Sequence, residues 1–225
     1  MKPIHSCYIS HTSACAGWDI DRMLENTMYR KACSVSRFPK KDHNIKMLDW
    51  DFKGVIKKGF DWVWKKYLEI IQSYKFDVVM SPDSYVNSDP NLIIQCYHVL
   101  KEHCNRVVIP VHGYFSEYEG LELAYPNADG FNKVPKNYWL WNIREDITHI
   151  LGGSPHKQME IKSMLPNVIT IDGNQMFNVA VRHGKFWEKG RWVVPEPRLT
   201  NKECFEKSLK VFELTLLVEN MLVRI

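Results

Sequence analysis

The sequence predicts an α/β fold, a compact (β/α)8 TIM-type barrel, and two observations lead to it. Short apolar, β-branched segments alternate with amphipathic helical segments, which is typical of a parallel sheet covered by helices. Polar residues repeatedly follow the apolar segments directly, as they do at the catalytic face of a barrel. The 225 residues are near the lower limit for this fold, and an open doubly wound sheet is the alternative.

The composition indicates one globular domain covering residues 1–225. Hydrophobic residues make up 45% and charged residues 25% of the chain, which excludes a disordered protein. The net charge of +4 permits a nucleic-acid partner without demonstrating one. No apolar run is long enough to cross a bilayer, and residues 1–10 lack the apolar region of a signal peptide. We therefore expect no membrane association, a cytoplasmic location and free cysteine thiols.

The predicted elements follow one another in the order that a barrel needs. Eight segments are candidate strands: 3–10, 45–48, 76–80, 106–111, 138–141, 148–151, 168–171 and 192–194. Apolar residues at helical spacing predict helices at 19–30, 60–74, 91–103, 116–124, 157–164 and 201–223. An eight-stranded barrel requires the two weakest candidates, 138–141 and 192–194, to be real strands.

The stretch 147–172 carries the strongest local pattern, a strand, a glycine turn, a helix and a second strand. Gly152 and Gly153 break the first strand, and Ser154 is a candidate helix N-cap. Glycines allow the backbone to approach a flat or anionic ligand closely. Asp172 ends the second strand, where barrels place their chemistry. An ordinary βαβ unit with a tight turn explains the same pattern.

Polar residues at the ends of several strands form a candidate active site. They are three acids, a histidine and a glycine pair: Asp49, Asp83, Asp172, His112, Gly152 and Gly153. In a parallel barrel all strand C-termini open on one face, so these residues are expected to converge. Three carboxylates can divide the roles of acid, base and nucleophile. We predict no metal site, because the chain has neither a His-x-His pair nor a tight Cys/His cluster.

The motifs at these strand ends occur in a recognisable order. They read LDW, SPD, VHG, ILGGSP and ITID, followed by VRHGKFW. This order resembles the tRNA-guanine transglycosylase superfamily over residues 47–187, and LGGSPHKQ is its most specific part. The closest resemblance is to the DpdA-type enzymes, phage and bacterial relatives that exchange guanine in DNA for a 7-deazaguanine.

The resemblance implies a barrel and a double displacement at the C1′ carbon of a nucleotide. Asp172 corresponds to the carboxylate nucleophile of that family, and Asp49 to its candidate proton shuttle. The positions that correspond to base-binding residues are Asp83, His112, Gly152 and Gly153. The reaction passes through a covalent glycosyl-enzyme intermediate and needs no redox or nucleotide cofactor.

Three departures from the family pattern matter. The usual Asp-Ser-Gly reads Asp-Trp-Asp here, which leaves Asp51 as an alternative to Asp49. Asp172 is followed by an unusual Gly-Asn-Gln. The C-terminal cysteine-rich zinc subdomain of the tRNA enzymes is absent from the sequence, so we predict no structural zinc.

Basic residues in the second half of the chain are candidate contacts for nucleic-acid phosphates. They are Lys157, Arg182, His183, Lys185, Lys189 and Arg191. Trp187 and Trp192 are interleaved with them, as a base-stacking surface requires. A solvated basic loop with two core tryptophans explains the same pattern.

The resemblance also implies partners and a location. DNA is the expected macromolecular substrate, with tRNA as the alternative, and a free 7-deazaguanine base is the second substrate. The target base must leave the stack, so flipping or a single strand is expected. A catalytically inactive nucleic-acid-binding barrel is the alternative from a different class. If phages encode the protein, it acts in the host cytoplasm; the sequence leaves the oligomeric state open.

Overall fold

Eight parallel strands close into a barrel, which confirms the predicted fold class. The computed structural model describes residues 2–10, 18–39, 44–83, 89–112, 116–126 and 145–222. The barrel strands are β1 (Ser6–Ser10), β2 (Tyr29–Ser34), β3 (Ile45–Asp49), β4 (Val78–Met80), β5 (Val107–Pro110), β6 (Leu123–Pro126), β7 (Ile147–Leu151) and β8 (Thr170–Asp172). Each strand pairs with the next along the chain, and β8 pairs with β1.

Helices and short turns connect the strands and cover the barrel. The helices are α1 (Ile20–Leu24), α2 (Phe52–Lys58), α3 (Phe60–Ser73), α4 (Pro90–Lys101), α5 (Pro155–Met164), α6 (Gln175–His183) and α7 (Asn201–Leu222). Two 3-10 turns lie at Val35–Arg37 and Ser116–Tyr118. An antiparallel pair outside the barrel, β9 (Phe186–Glu188) and β10 (Arg191–Val193), packs near α7.

The strands β4 and β5 form because their residues are apolar on both faces. Every residue of β4 and β5 is buried, as expected where a parallel sheet has side chains inside and helices outside. Tyr67 of α3 ties two strands together, since its hydroxyl lies 2.9 Å from the Leu48 carbonyl oxygen and 2.5 Å from that of Met80. This contact fixes the ends of β3 and β4 next to each other.

Four of the predicted elements differ from the structure or fall outside the described residues. The predicted strand 192–194 is wrong as a barrel strand, because β10 pairs only with β9 in the separate hairpin. The predicted helix 19–30 ends at Leu24, and a barrel strand begins at Tyr29. The predicted helix 116–124 is a 3-10 turn that leads into β6. The candidate strand 138–141 lies outside the described residues.

The two barrel strands that the sequence did not predict, β2 and β6, lack a strand-like sequence. Arg30 and Lys31 put two charges into β2, and Lys31 is only 3% exposed because its ammonium group pairs with Asp21 at 2.8 Å. The four residues of β6 (LAYP) contain no β-branched side chain. In both places barrel closure overrides local propensity.

The described helices include none that is both long and apolar enough to span a membrane. The five described cysteines are free and buried.

Candidate functional site

The structure brings the three predicted acids together at one end of the barrel. Asp49 is the last residue of β3, Asp172 is the last residue of β8, and Asp83 follows β4 by three residues. Burial raises the pKa of Asp49 well above its usual value, and the negative charges of Asp172 and Asp83 raise it further. Both effects favour the protonated form of Asp49, which makes it the candidate proton donor of the site.

One oxygen of the Asp172 carboxylate is held by the protein. Its Oδ1 accepts a hydrogen bond from the Gly152 backbone N–H at 2.8 Å, and the Nε2 atom of His149 lies 3.4 Å from the same oxygen. Within the described parts of the chain, no hydrogen bond reaches Oδ2. A carboxylate anchored through one oxygen presents the other to a substrate, which is the arrangement a nucleophile needs.

The glycine turn beside Asp172 is held in a conformation that favours glycine. The φ angles of Gly152 and Gly153 are +73° and +90°, in the region that other residues rarely adopt. The side-chain amide of Gln158 donates to the Gly152 carbonyl oxygen at 3.0 Å and to that of Asp172 at 2.7 Å. This buried glutamine therefore fixes the turn against the end of β8.

Open space lies where a side chain at Gly152 would project. A Cβ atom built there meets no atom of the described residues within 4 Å. The backbone of the turn can thus approach a planar ligand closely.

Ser154, the predicted N-cap, occupies the N-cap position of α5, but its hydroxyl pairs with His156 Nδ1 at 3.0 Å rather than capping the helix.

His112 and Asp83 form the third part of the site. His112 follows β5 and is buried, and its Nε2 atom lies 3.8 Å from Asp83 Oδ2. This distance is too long for a direct hydrogen bond and short enough for an electrostatic interaction. Both residues occupy positions that the resemblance assigns to base binding.

Asp51 has a structural role, which favours Asp49 over Asp51 as the candidate second acid. It is 4% exposed and is the N-cap of α2. Its Oδ1 accepts from the Gly54 N–H at 2.9 Å, and its Oδ2 accepts from the Ser36 N–H at 2.8 Å. With both oxygens committed to backbone donors, Asp51 joins the start of α2 to the turn after β2.

The six basic residues lie on different elements. Lys157 is exposed in the first turn of α5, directly after the glycine turn, whereas Arg182 and His183 are exposed at the end of α6. Lys185 is half-buried just after α6, and Lys189 and Arg191 are exposed in the β9–β10 hairpin. Of the six basic residues, Lys157 therefore lies nearest in the sequence to the glycine turn.

Of the two interpretations of Trp187, the structure supports a core tryptophan and not a stacking surface. Trp187 is 3% exposed, and its ring packs edge-on against Phe212 of α7 at a centroid distance of 5.4 Å. Trp192 is half-buried opposite Trp187 in the hairpin. The apolar side of the hairpin covers α7, so Trp187 belongs to the core.

Sequence reasoning missed two residues of the site, His149 and Gln158. His149 is fully buried within β7 and contacts Asp172. The signal for it was a polar side chain inside the apolar strand ITHIL. The signal for Gln158 was its place in the motif LGGSPHKQ. Across the described ranges, no group of three or more His, Cys, Asp or Glu residues is placed to hold a metal ion.

Gly152→Ala is expected to weaken binding of a free 7-deazaguanine base by at least about tenfold. The added methyl group enters the open space beside Asp172, and the positive φ costs roughly 1 kcal/mol of stability. Gly190→Ala in the β9–β10 hairpin is the matched control, because Gly190 has a φ of +81° and equally open surroundings. Calorimetry should find unchanged base binding in the control; equal affinities in both variants would show that the turn is only structural.

Comparisons with known proteins give one family and one fold neighbour. A family model described as "Family of unknown function (DUF6610)" matches residues 24–215. A comparison with curated protein sequences finds no match. A solved structure of a Coccidioides immitis protein assigned as a fructose-1,6-biphosphate aldolase aligns with a TM-score of 0.48 and 13% identity, covering 95% of this chain and 90% of that chain. The barrel topology described above rests on the strand pairing itself.

Proposed function

The chain belongs to the DUF6610 family of unknown function, and we propose that it is a DNA-guanine transglycosylase that exchanges guanine for a 7-deazaguanine base. The observation that carries this proposal is the geometry of Asp172. One of its oxygens is anchored by the Gly152 N–H, and the charge of Asp172 helps to raise the pKa of a second acid, Asp49, whose protonated form is thereby favoured. Nucleophile and proton donor are the two groups that a double displacement at C1′ requires.

The first displacement releases guanine. Asp172 Oδ2 attacks C1′ of the target nucleotide, and the bond between C1′ and N9 breaks with its electron pair going to the base. The proton on Asp49 passes to the departing base, so that guanine leaves neutral. The product is a covalent ester between Asp172 and the sugar, with Asp49 now ionised.

The second displacement installs the new base. Ionised Asp49 takes the ring N9–H proton of the incoming 7-deazaguanine, and N9 attacks C1′. The bond from C1′ to Asp172 breaks, and its electron pair returns to the carboxylate. Two inversions retain the β configuration, and both acids recover their initial states.

The surroundings of the acids support a flat, guanine-like base as ligand. The glycine turn leaves open space on one side, where the planar base fits against the Gly152 and Gly153 backbone. Asp83 and His112, 3.8 Å apart, offer an acceptor and a ring nitrogen for the base edge. A carboxylate matches the adjacent N1–H and amino donors of guanine.

The assignment of DNA as substrate rests on the resemblance to DpdA-type enzymes. The exposed basic residues support a phosphate backbone as partner. A nucleotide within a duplex exposes C1′ to Asp172 only after its base leaves the stack, so flipped or single-stranded DNA is the reactive form.

Release of labelled guanine tests the proposal. DNA and tRNA carrying radiolabelled guanine are incubated with the protein and a 7-deazaguanine base, with the Asp172→Asn variant as control. We expect release from DNA by the unmodified protein alone. Release only from tRNA would show that tRNA is the substrate. Binding without release of guanine from DNA or tRNA would identify a catalytically inactive nucleic-acid-binding barrel.

Lys157→Ala is expected to weaken DNA binding equally for all sequences and to make it less sensitive to salt. One lost phosphate contact lowers the slope of log affinity against log salt by roughly 0.7 to 0.9. Lys65→Ala is the matched control, since Lys65 is also an exposed helical lysine, on α3. Fluorescence anisotropy across a salt series measures both slopes; a slope unchanged by Lys157→Ala would remove this residue from the DNA contacts.

A further inference from the structure

A hydrogen-bonded network of polar side chains runs inside the barrel toward Asp172. The guanidinium group of Arg106, just before β5, donates through Nε to Glu122 Oε2 at 2.8 Å and through Nη1 to Thr170 Oγ1 at 2.9 Å. Its Nη2 lies 3.0 Å from Thr148 Oγ1. The Arg106 side chain therefore joins residues near β6, β7 and β8 across the interior.

His149 connects this network to Asp172. The ring is completely buried, its Nδ1 atom lies 2.8 Å from Thr170 Oγ1, and its Nε2 atom lies 3.4 Å from Asp172 Oδ1. Tyr8 of β1 packs beside the ring, with centroids 6.4 Å apart. The imidazole is thus fixed between a hydroxyl below it and the anchored oxygen of the carboxylate above it.

The network determines which ring nitrogen carries the proton. Thr170 Oγ1 already accepts a hydrogen bond from Arg106, so its own hydroxyl proton must go to another acceptor. Two are within reach: His149 Nδ1 at 2.8 Å and the Thr148 carbonyl oxygen at 3.5 Å. The carboxylate oxygen Asp172 Oδ1 faces Nε2 at 3.4 Å and is an acceptor, which favours the proton of the neutral ring on Nε2, with Nδ1 accepting from the Thr170 hydroxyl.

The surroundings of the ring favour its uncharged form. Burial lowers the pKa of His149, and the positive charge of Arg106 lowers it further, against the opposing effect of Asp172. A neutral imidazole carries one proton. The Nε2–H therefore points at Asp172 Oδ1 as a hydrogen-bond donor.

We propose that His149 is a positioning residue: its Nε2–H and the Gly152 N–H together hold Oδ1 of Asp172, so that Oδ2 points to the reacting carbon. Thr170 and Arg106 act through His149 by fixing its tautomer. The consequence for catalysis rests on the proposed transglycosylase function, whereas the tautomer and the hydrogen bond follow from the network alone. The ligand-facing residues do not include His149, since the ring lies beneath the carboxylate.

Single-turnover formation of the covalent adduct tests the positioning role. Gln can place an N–H donor where the Nε2–H of histidine lies, and Leu fills the space without a donor. His149→Leu is expected to slow adduct formation roughly a hundredfold, the cost of a misplaced reacting group, with unchanged affinity for DNA. His149→Gln should restore most of that rate, and Thr170→Val should lose several-fold. Equal slowing by Leu and Gln would overturn the role.

Nitrogen NMR of the histidine rings separates this inference from the proposed function. Signals of His149 are assigned by their loss in His149→Gln, and the expected pattern is a protonated Nε2 and an unprotonated Nδ1 that changes in Thr170→Val. A protonated Nδ1 or a charged ring would overturn the inference whatever the activity. If the unmodified protein forms no adduct with DNA or tRNA, the proposed function fails while the tautomer pattern still tests the network.

Discussion

Replacing Asp172 with asparagine is expected to eliminate the covalent protein–DNA adduct and to reduce base exchange by on the order of a thousandfold or more. An amide oxygen is too weak a nucleophile to attack C1′. DNA affinity should stay unchanged or rise, because a negative charge near the phosphates is removed. Denaturing electrophoresis of the protein after incubation with labelled DNA measures the adduct directly.

Asp172→Ala serves as the control for this variant. An asparagine can deamidate back to aspartate and restore a trace of active protein, whereas alanine has no side-chain group that could do so. Folding is checked by thermal unfolding of both variants. An adduct that persists in Asp172→Ala would exclude Asp172 as nucleophile and leave Asp49 or Asp83 as the next candidates.

Asp49→Asn is expected to abolish proton transfer and yet to stabilise the protein at neutral pH. Loss of a general acid typically costs on the order of a hundredfold or more in rate. Burial and the charges of Asp172 and Asp83 raise the pKa of Asp49 above its ordinary 3.8. The contribution of the Asp49 carboxyl group to stability is therefore complete below about pH 3.8, and it is lost as the pH rises through the raised pKa of Asp49 in the folded state. Asparagine cannot ionise, so the Asp49→Asn variant does not lose stability at this position as the pH rises.

Thermal unfolding as a function of pH measures this effect. The melting temperature of Asp49→Asn relative to the unmodified protein should be lowest in acid and increase with pH; a gain of about 1 kcal/mol corresponds to roughly 2–4 °C. Asp51→Asn is the matched control with the opposite sign, because it removes one of two carboxylate acceptors for backbone N–H groups, and leaving one of these donors without a partner costs about 1 kcal/mol. The raised pKa of Asp49 would be contradicted if the melting temperature of Asp49→Asn, relative to that of the unmodified protein, fell as the pH rose.

The fold class was predictable because six of the barrel strands are recognisable in the sequence. Segments such as 76–80 and 106–111 are largely apolar and are followed by polar residues. The structure has strands within both of them, at Val78–Met80 and Val107–Pro110. The strand at Tyr29–Ser34 was not predictable, because its buried Lys31 depends on a partner, Asp21, supplied by the helix before it. The eight-stranded count was right for a partly wrong reason, since β2 and β6 were not among the predicted strands and the predicted strand 192–194 lies in the hairpin outside the barrel.

The candidate acids were predictable and their supporting residues were not. Asp49, Asp83 and Asp172 follow from one rule, that strand C-termini share a face. His149 contacts Thr170 of the neighbouring strand β8 at 2.8 Å, and this contact appears only when β7 and β8 are in register. The position of Trp187 could not be decided from the sequence, because a basic, aromatic stretch has the same pattern whether the tryptophan ring faces solvent or packs against α7, as it does here.

Nucleoside mass spectrometry of DNA from cells that express the protein and are supplied with 7-deazaguanine precursors tests the proposed base exchange most directly. The account predicts a 7-deazaguanine deoxynucleoside in DNA from cells with the unmodified protein and none in DNA from cells with Asp172→Asn. Unmodified DNA in both, with soluble protein present and the precursor base detected in the cells, would contradict it.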